Sequence, residues 1–200
     1  MIEINNFGIS FYKTKYNFNW GQLEKFARPF LNNAEGDDIE VNCQSSYLSK
    51  LKKPHEYDEL QEYYNFMEPI WKDVIINKWK YPKNREYEVQ GSWFIRYDEN
   101  GHIKPHHHGD SVLVFCAYVK FPKNCGYTEF RDPLYKEKMT QLNIKNEEIF
   151  WTPLEVEEND VLIFNGGAHY HRSQPNKSGD ERWLLTTNVR CVNKKDVTII

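Results

Sequence analysis

The chain has few cysteines and no pattern among them. Cys43, Cys116, Cys125 and Cys191 are widely spaced and form no CxxC pair; neither a disulfide framework nor a zinc ribbon is suggested, and free, mostly buried thiols are expected. No run of ~18 apolar residues that could cross a bilayer is present. Met1-Ile2-Glu3-Ile4-Asn5-Asn6-Phe7 shows no basic stretch leading into an apolar one, so a soluble, unsecreted protein without a membrane partner is expected. An excess of one charge is missing too. With 26 basic against 29 acidic residues the formal charge is -3, and no block of Lys and Arg marks a surface for generic nucleic-acid binding. The same balance argues against a substrate held chiefly by its phosphates.

What the 200 residues do have is aromatic rings, 16% of the chain against 40% hydrophobic residues in total. With a mean hydropathy of -0.79, this predicts a core built on Tyr, Phe and Trp and disfavours disorder. The length suits a single domain over 1–200. Within it, 1–80 reads as a helical N-terminal support region. Asn19 is placed to cap a helix with Trp20, Leu23, Phe26, Ala27, Phe30 and Leu31 on one face, ended or kinked at Pro29. Leu60, Tyr63, Tyr64, Met67, Ile70, Trp71, Val74 and Ile75 mark a second helix that Pro69 is expected to break in two.

After Pro82 the texture becomes short Val-, Phe-, Tyr-, Trp- and Thr-rich segments separated by Gly, Asn, Asp and Pro. Strands are expected at 87–97, 112–120, 127–130, 148–152, 161–164, 183–189 and 192–200, with 136–146 as a polar loop. The fold class is mainly β with flanking helices, a sandwich or barrel over 85–200.

Histidine is unevenly placed. In Pro105-His106-His107-His108-Gly109-Asp110-Ser111, alternate side chains of an extended backbone face the same way. His106 and His108 then share a face and His107 turns away; His108 and Asp110 form a competing HxD pair. A second cluster, His169-Tyr170-His171, follows the strand-like Asp160-Val161-Leu162-Ile163-Phe164. Two imidazoles with a carboxylate, or three imidazoles, hold a divalent ion on one side and leave positions open for substrate and O2. His55 and His102 read as bystanders.

Three further blocks surround these clusters. Trp93-Phe94-Ile95-Arg96-Tyr97 and Gly101 precede His106-His107-His108, and Ala117-Tyr118-Val119 follows. Phe130-Arg131-Asp132-Pro133 comes next. Last come Asn159-Asp160-Val161-Leu162-Ile163-Phe164, His171-Arg172-Ser173-Gln174-Pro175-Asn176, and Arg182-Trp183-Leu184-Leu185-Thr186-Thr187-Asn188. In order and spacing, roughly from Trp93 to Val189, the chain resembles the 2-oxoglutarate and Fe(II)-dependent oxygenase superfamily, and within it the prolyl-4-hydroxylase-like group of small bacterial and phage proteins. It departs from the pattern at Asn159, where Gly is usual, at Asn165-Gly166-Gly167, where Pro-Ser-Trp is usual, and at Leu184. Better-known members carry Asp where His108 falls, which keeps Asp110 in contention.

The resemblance implies a double-stranded β-helix core (jelly-roll, cupin-like) and a dioxygenase that uses Fe(II), O2 and the cosubstrate 2-oxoglutarate, hydroxylating a substrate with release of succinate and CO2. It implies His106, His108 and His171 as metal ligands, no catalytic side chain beyond them, and His169 set aside by the Pro175-Asn176 offset. Arg182 would anchor the far carboxylate of 2-oxoglutarate, a match for a guanidinium fork, and Tyr97 or Tyr118 would donate a hydrogen bond to it. The substrate would be a peptide side chain, a nucleobase or a metabolite, selected by 1–80 and the loop near Lys136. The setting would be the cytoplasm, or a host's cytoplasm for a phage protein. The alternative is a metal-containing jelly-roll binding or assembly module without oxygenase activity. A zinc hydrolase ranks third, since no H-E-x-x-H base is present.

Overall fold

Alternate side chains of Leu113–Lys120 enter two different cores, and this sets the architecture. In the computed structural model, which describes residues 1–6, 9–31 and 38–192, the order is β1 (Ile2–Asn6), β2 (Ile9–Lys15), α1 (Trp20–Leu31), β3 (Glu40–Ser45), α2 (Gln61–Asp73), β4 (Glu86–Ile103), β5 (Leu113–Lys120), β6 (Thr128–Arg131), α3 (Tyr135–Leu142), β7 (Trp151–Leu154), β8 (Asp160–Phe164), β9 (His171–Ser173) and β10 (Arg182–Val192). One sheet runs β1-β2-β8-β5-β10-β4-β3 and a smaller one β7-β6-β9, every pairing antiparallel. This is a mainly β, jelly-roll core with flanking helices.

From β5, Phe115, Ala117 and Val119 join Met67, Trp71, Phe30 and Ala27 of the two long helices on one face of the large sheet. Val114, Cys116 and Tyr118 point the other way, toward Phe130 and Leu154 of the small sheet. A strand buried on both faces gives the continuous apolar run Leu-Val-Phe-Cys-Ala-Tyr-Val. β10 alternates likewise: Trp183, Leu185 and Val189 face the helices. Its other face carries Arg182, Leu184, Thr186 and Asn188.

Several expectations are corrected. The region 1–80 is not only helical: β1 and β2 extend the large sheet by pairing with β8, and β3 pairs with β4. Pro69 does not break α2, which runs through it into a π turn at Val74–Lys78. The cost of the missing N–H is offset by the buried stripe Tyr63, Met67 and Trp71. α1 includes Pro29 and continues to Leu31, with Asn19 Oδ1 accepting from Gln22 N at 3.3 Å. The expected loop at 136–146 holds α3, which buries none of its side chains. It is tied down instead by Asp132, which accepts from Leu134 N and pairs with Lys138, and by the Arg131 guanidinium 4.1 Å from the Tyr135 ring. β9 had no counterpart in the sequence reading, and most of the strand expected at 192–200 lies outside the described residues. Among the described residues no helix is long and apolar enough to cross a membrane, and the four thiols are free.

Candidate active site

The two histidine clusters are joined by main chain. His106 N donates to His171 O and His171 N to His106 O, both at 2.9 Å, a one-residue antiparallel bridge between the loop before β5 and the start of β9. Two more bonds extend the seam: His108 N donates to Gly166 O at 2.9 Å and Gly167 N to Ser111 O at 3.0 Å. Gly166 is needed there for space, because a Cβ would lie 2.8 Å from Val114 Cγ2 and 2.9 Å from Ser111 O. The usual Pro-Ser-Trp has thus been exchanged for a segment that packs flush on residues 108–111.

On this frame the potential ligand atoms of His106, His108 and His171 lie within 4.8 Å of one another. Their far nitrogens explain the convergence. His106 Nδ1 donates to Lys104 O at 2.8 Å, His171 Nδ1 to His169 O at 3.0 Å, and His108 Nδ1 to Asn188 Oδ1 at 2.9 Å. With Nδ1 holding its proton in His108 and His171, their Nε2 atoms, 3.2 Å apart, keep lone pairs for a metal. Burial, with the neighbouring His106 and His107 adding to it, pushes His108 down to about 3. Burial followed by the other two imidazoles takes His171 well below the ordinary range. Both are neutral at pH 7, as a ligand must be. Asp110 is exposed and lies outside the group. His107 is exposed, lies outside the group and accepts from Gly109 N through Nδ1. His169 stacks on Phe11 with ring centroids 4.5 Å apart.

A cavity of about 310 Å³ opens on the triad, walled by Ile39, Tyr47, Trp93, Tyr97, Leu184 and Thr186 among others. Beside Tyr97, Arg182 is completely buried. Its Nη1 donates to the carbonyls of Cys125 and Gly126 at 2.9 and 3.0 Å, and its Cζ sits 3.7 Å from the centroid of the Tyr97 ring. Its Nε and Nη2 are buried without a hydrogen-bond partner, and it forms no ion pair among the described residues. The adjacent carboxylates are taken: Asp180 by Lys120, Glu181 by Arg28. A buried cation with two unpartnered nitrogens is costly unless an anion completes it. Tyr97 and Tyr118 are raised by burial and stay protonated; the Tyr118 hydroxyl is engaged with Thr128 at 2.6 Å. Cys116, on the cavity wall, is pushed up to about 12 by burial and remains a thiol.

The donor set therefore fits a divalent ion with open positions, and the buried fork fits a carboxylate-ended chelator. Residues 91–188 match the family model described as "Putative 2OG-Fe(II) oxygenase". The chain belongs to the 2-oxoglutarate and Fe(II)-dependent oxygenases. No curated relative matches by sequence. In fold, this oxygenase is similar to a Pseudomonas putida prolyl-4-hydroxylase, with 13% identity over 90% of this chain and 91% of that one and a TM-score of 0.59. It is similar also to the viral collagen prolyl hydroxylase of Paramecium Bursaria Chlorella virus-1 in its 2OG complex, at 14% identity over 91% and 96%, TM-score 0.58. A third similar structure is HygX from Streptomyces hygroscopicus with nickel, 2-oxoglutarate and hygromycin B bound, at 11% identity over 91% and 83%, TM-score 0.57.

One departure from the family pattern and one residue of its motif acquire reasons. Asn159 adopts φ of 70°, a left-handed conformation open to Gly and, at modest cost, to Asn; its Oδ1 also accepts from Phe18 N at 3.1 Å. Asn176 of the Pro-Asn motif donates to Tyr97 O and Asp180 O at 3.0 and 2.7 Å, tying β4 to the turn that leads into Arg182. Sequence reasoning assigned no site role to Asn188, Thr128 or Thr186. The only signal was the Asn that closes the last block. The cavity wall draws on Ile39, Glu40 and Tyr47 from the first 80 residues and on none of α3.

Proposed function

We propose that the protein works as an Fe(II)- and 2-oxoglutarate-dependent dioxygenase in which His106, His108 and His171 hold the iron and Arg182 receives the far carboxylate of 2-oxoglutarate. When bound, iron with 2-oxoglutarate and O2 supplies the oxidation of a substrate C–H bond to C–OH, with 2-oxoglutarate leaving as succinate and CO2. The chain's part is to bind, orient and exclude water. The three imidazoles would hold the ion from one side and leave room for the cosubstrate and O2 on the other. Arg182 offers two parallel N–H groups where a carboxylate can take both. Tyr97, stacked on that guanidinium, keeps its hydroxyl proton and is placed to donate beside it, and the Tyr118–Thr128 pair supports the same wall. Leu184, Trp93 and Phe164 keep the interior dry.

The observation that carries this reading is the fully buried Arg182, without a carboxylate partner among the described residues, on the strand whose inner face ends at the triad. The outer wall of Ile39, Tyr47 and Trp93 suits an apolar or planar group, which supports a peptide side chain, a nucleobase or a compact metabolite as substrate. The free thiols support work in a reducing compartment, the cytoplasm of the cell or of a phage's host.

The test is succinate formation. Anaerobically Fe(II)-loaded protein given 2-oxoglutarate is expected to form succinate only when O2 is admitted, slowly without substrate, and His171→Ala is expected to abolish it. Loaded wild-type protein that makes no succinate with any of the three substrate classes, or a His171→Ala variant that makes as much as wild type, would overturn the reading.

A further inference from the structure

Two of the three Nδ1–H groups described above donate to main-chain carbonyls, Lys104 O and His169 O, which no substitution removes. The third does not. His108 depends on a side chain, Asn188 Oδ1 at 2.9 Å, on a strand eighty residues away. The backbone is shaped to deliver it. Asn188 pairs with Gly91 on β4 and Val114 on β5, but the next residue, Val189, pairs with Val89, so Gln90 is an extra residue and the ladder bulges at this point. Bulges bend a strand and re-aim a side chain. Across from Asn188, Gly91 has no side chain, and the space its Cβ would occupy is empty to 4 Å. Asn188 lines the cavity while Val189 stays packed against the helices. His108 is itself pinned on its other side by the Trp93 ring, nearly parallel at 5.8 Å.

We propose that Asn188 is the positioning residue of the metal centre: by accepting the His108 Nδ1 proton it fixes the tautomer and ring plane that turn Nε2 toward His106 and His171. His108 occupies the position where a carboxylate would need no such help, because either oxygen of a carboxylate can ligate whereas only one nitrogen of an imidazole faces the ion. Replacing that carboxylate by His therefore creates a need for a fixed acceptor behind the ring. A neutral amide meets it without adding charge.

The proposal rests on the reading of the triad as a metal centre, and its test uses metal binding alone. Co(II) is titrated calorimetrically into wild type, Asn188→Leu and Asn188→Asp, each first shown folded by circular dichroism. Asn188→Leu keeps the shape and loses the acceptor, and is expected to weaken Co(II) binding by about 10–100-fold. Asn188→Asp restores an acceptor and is expected to bring affinity back to within about threefold of wild type. Long-range proton–nitrogen spectra of the metal-free proteins supply a readout that a merely structural role would not move: His108 in its Nδ1–H form in wild type and Asn188→Asp, and a mixture of tautomers in Asn188→Leu. Folded Asn188→Leu that binds Co(II) as wild type does, or a wild-type His108 protonated on Nε2, overturns the proposal and leaves the centre standing. A folded Asn188→Leu with the expected weakening that Asn188→Asp fails to rescue overturns it as well. Wild type that binds no Co(II) overturns the centre itself.

Discussion

Arg182 is the residue at which the electrostatics are most one-sided. It is fully buried, stacked on Tyr97, bonded to two carbonyls through Nη1, and two of its nitrogens, Nε and Nη2, have no hydrogen-bond partner. A Lys at this position would keep the charge and lose the fork. Arg182→Lys is therefore expected to weaken 2-oxoglutarate binding by roughly 10–100-fold, the value of a charge-assisted bidentate contact, while Co(II) affinity stays within about twofold of wild type, since no ligand has moved. Equilibrium binding of 2-oxoglutarate to the metal-loaded variant checks this; equal binding by wild type and variant would remove Arg182 from the site. The histidines could be read in the sequence because period-two spacing within one short stretch puts His106 and His108 together. His171 could be told from His169 only through the family pattern. Asn188 and Thr128 could not be found that way, because what brings them to the site is strand register, which a local pattern does not specify.

Among the elements, α2 bears most on stability. Its stripe of Tyr63, Met67 and Trp71 covers Phe115, Ala117 and Leu185 of the central strands, and Met67 has no exposed surface. Met67→Ala is expected to lower unfolding free energy by about 2–5 kcal/mol, read from urea denaturation, with metal affinity unchanged because the stripe lies on the face of the sheet away from the cavity. A loss below about 1 kcal/mol would mean that the layer is looser than its burial implies. The helices were legible for the same reason, a periodic apolar face. α3 was not, since it has no buried side chain to make a pattern and is held from outside by Asp132 and Arg131. β9 was invisible because its three residues, His171, Arg172 and Ser173, are polar rather than a β-rich run. β1 is an edge strand held by β2, and the place of β2 is fixed by β8, far along the chain. β5 was read nearly to its ends because it is apolar on both faces, whereas β4, expected over 87–97, runs on to Ile103 through the polar Asp98-Glu99-Asn100, and β10, expected over 183–189, continues to Val192.

For the whole molecule, the buried imidazoles set a pH limit. His108 sits at about 3, His169 at about 4, and His171 well below the ordinary value near 6.5, each chiefly through burial. As pH falls below the ordinary value, the unfolded chain takes up protons that the folded, metal-free protein refuses. Stability is therefore full at neutral pH and is lost downward, by on the order of 1.4 kcal/mol per pH unit for each such imidazole. The melting temperature of the metal-free protein is expected to be level above pH ~7 and to fall steeply between pH ~6 and 4; a level curve through that window would contradict the burial. The main-chain bridge between His106 and His171 has a different consequence. Because folding has already set these two imidazoles side by side, their face would be ready before any ion arrives, with little freedom to reshape itself around one rather than another. Imidazole donors favour copper and zinc over ferrous iron, so the protein is open to capture by the wrong metal.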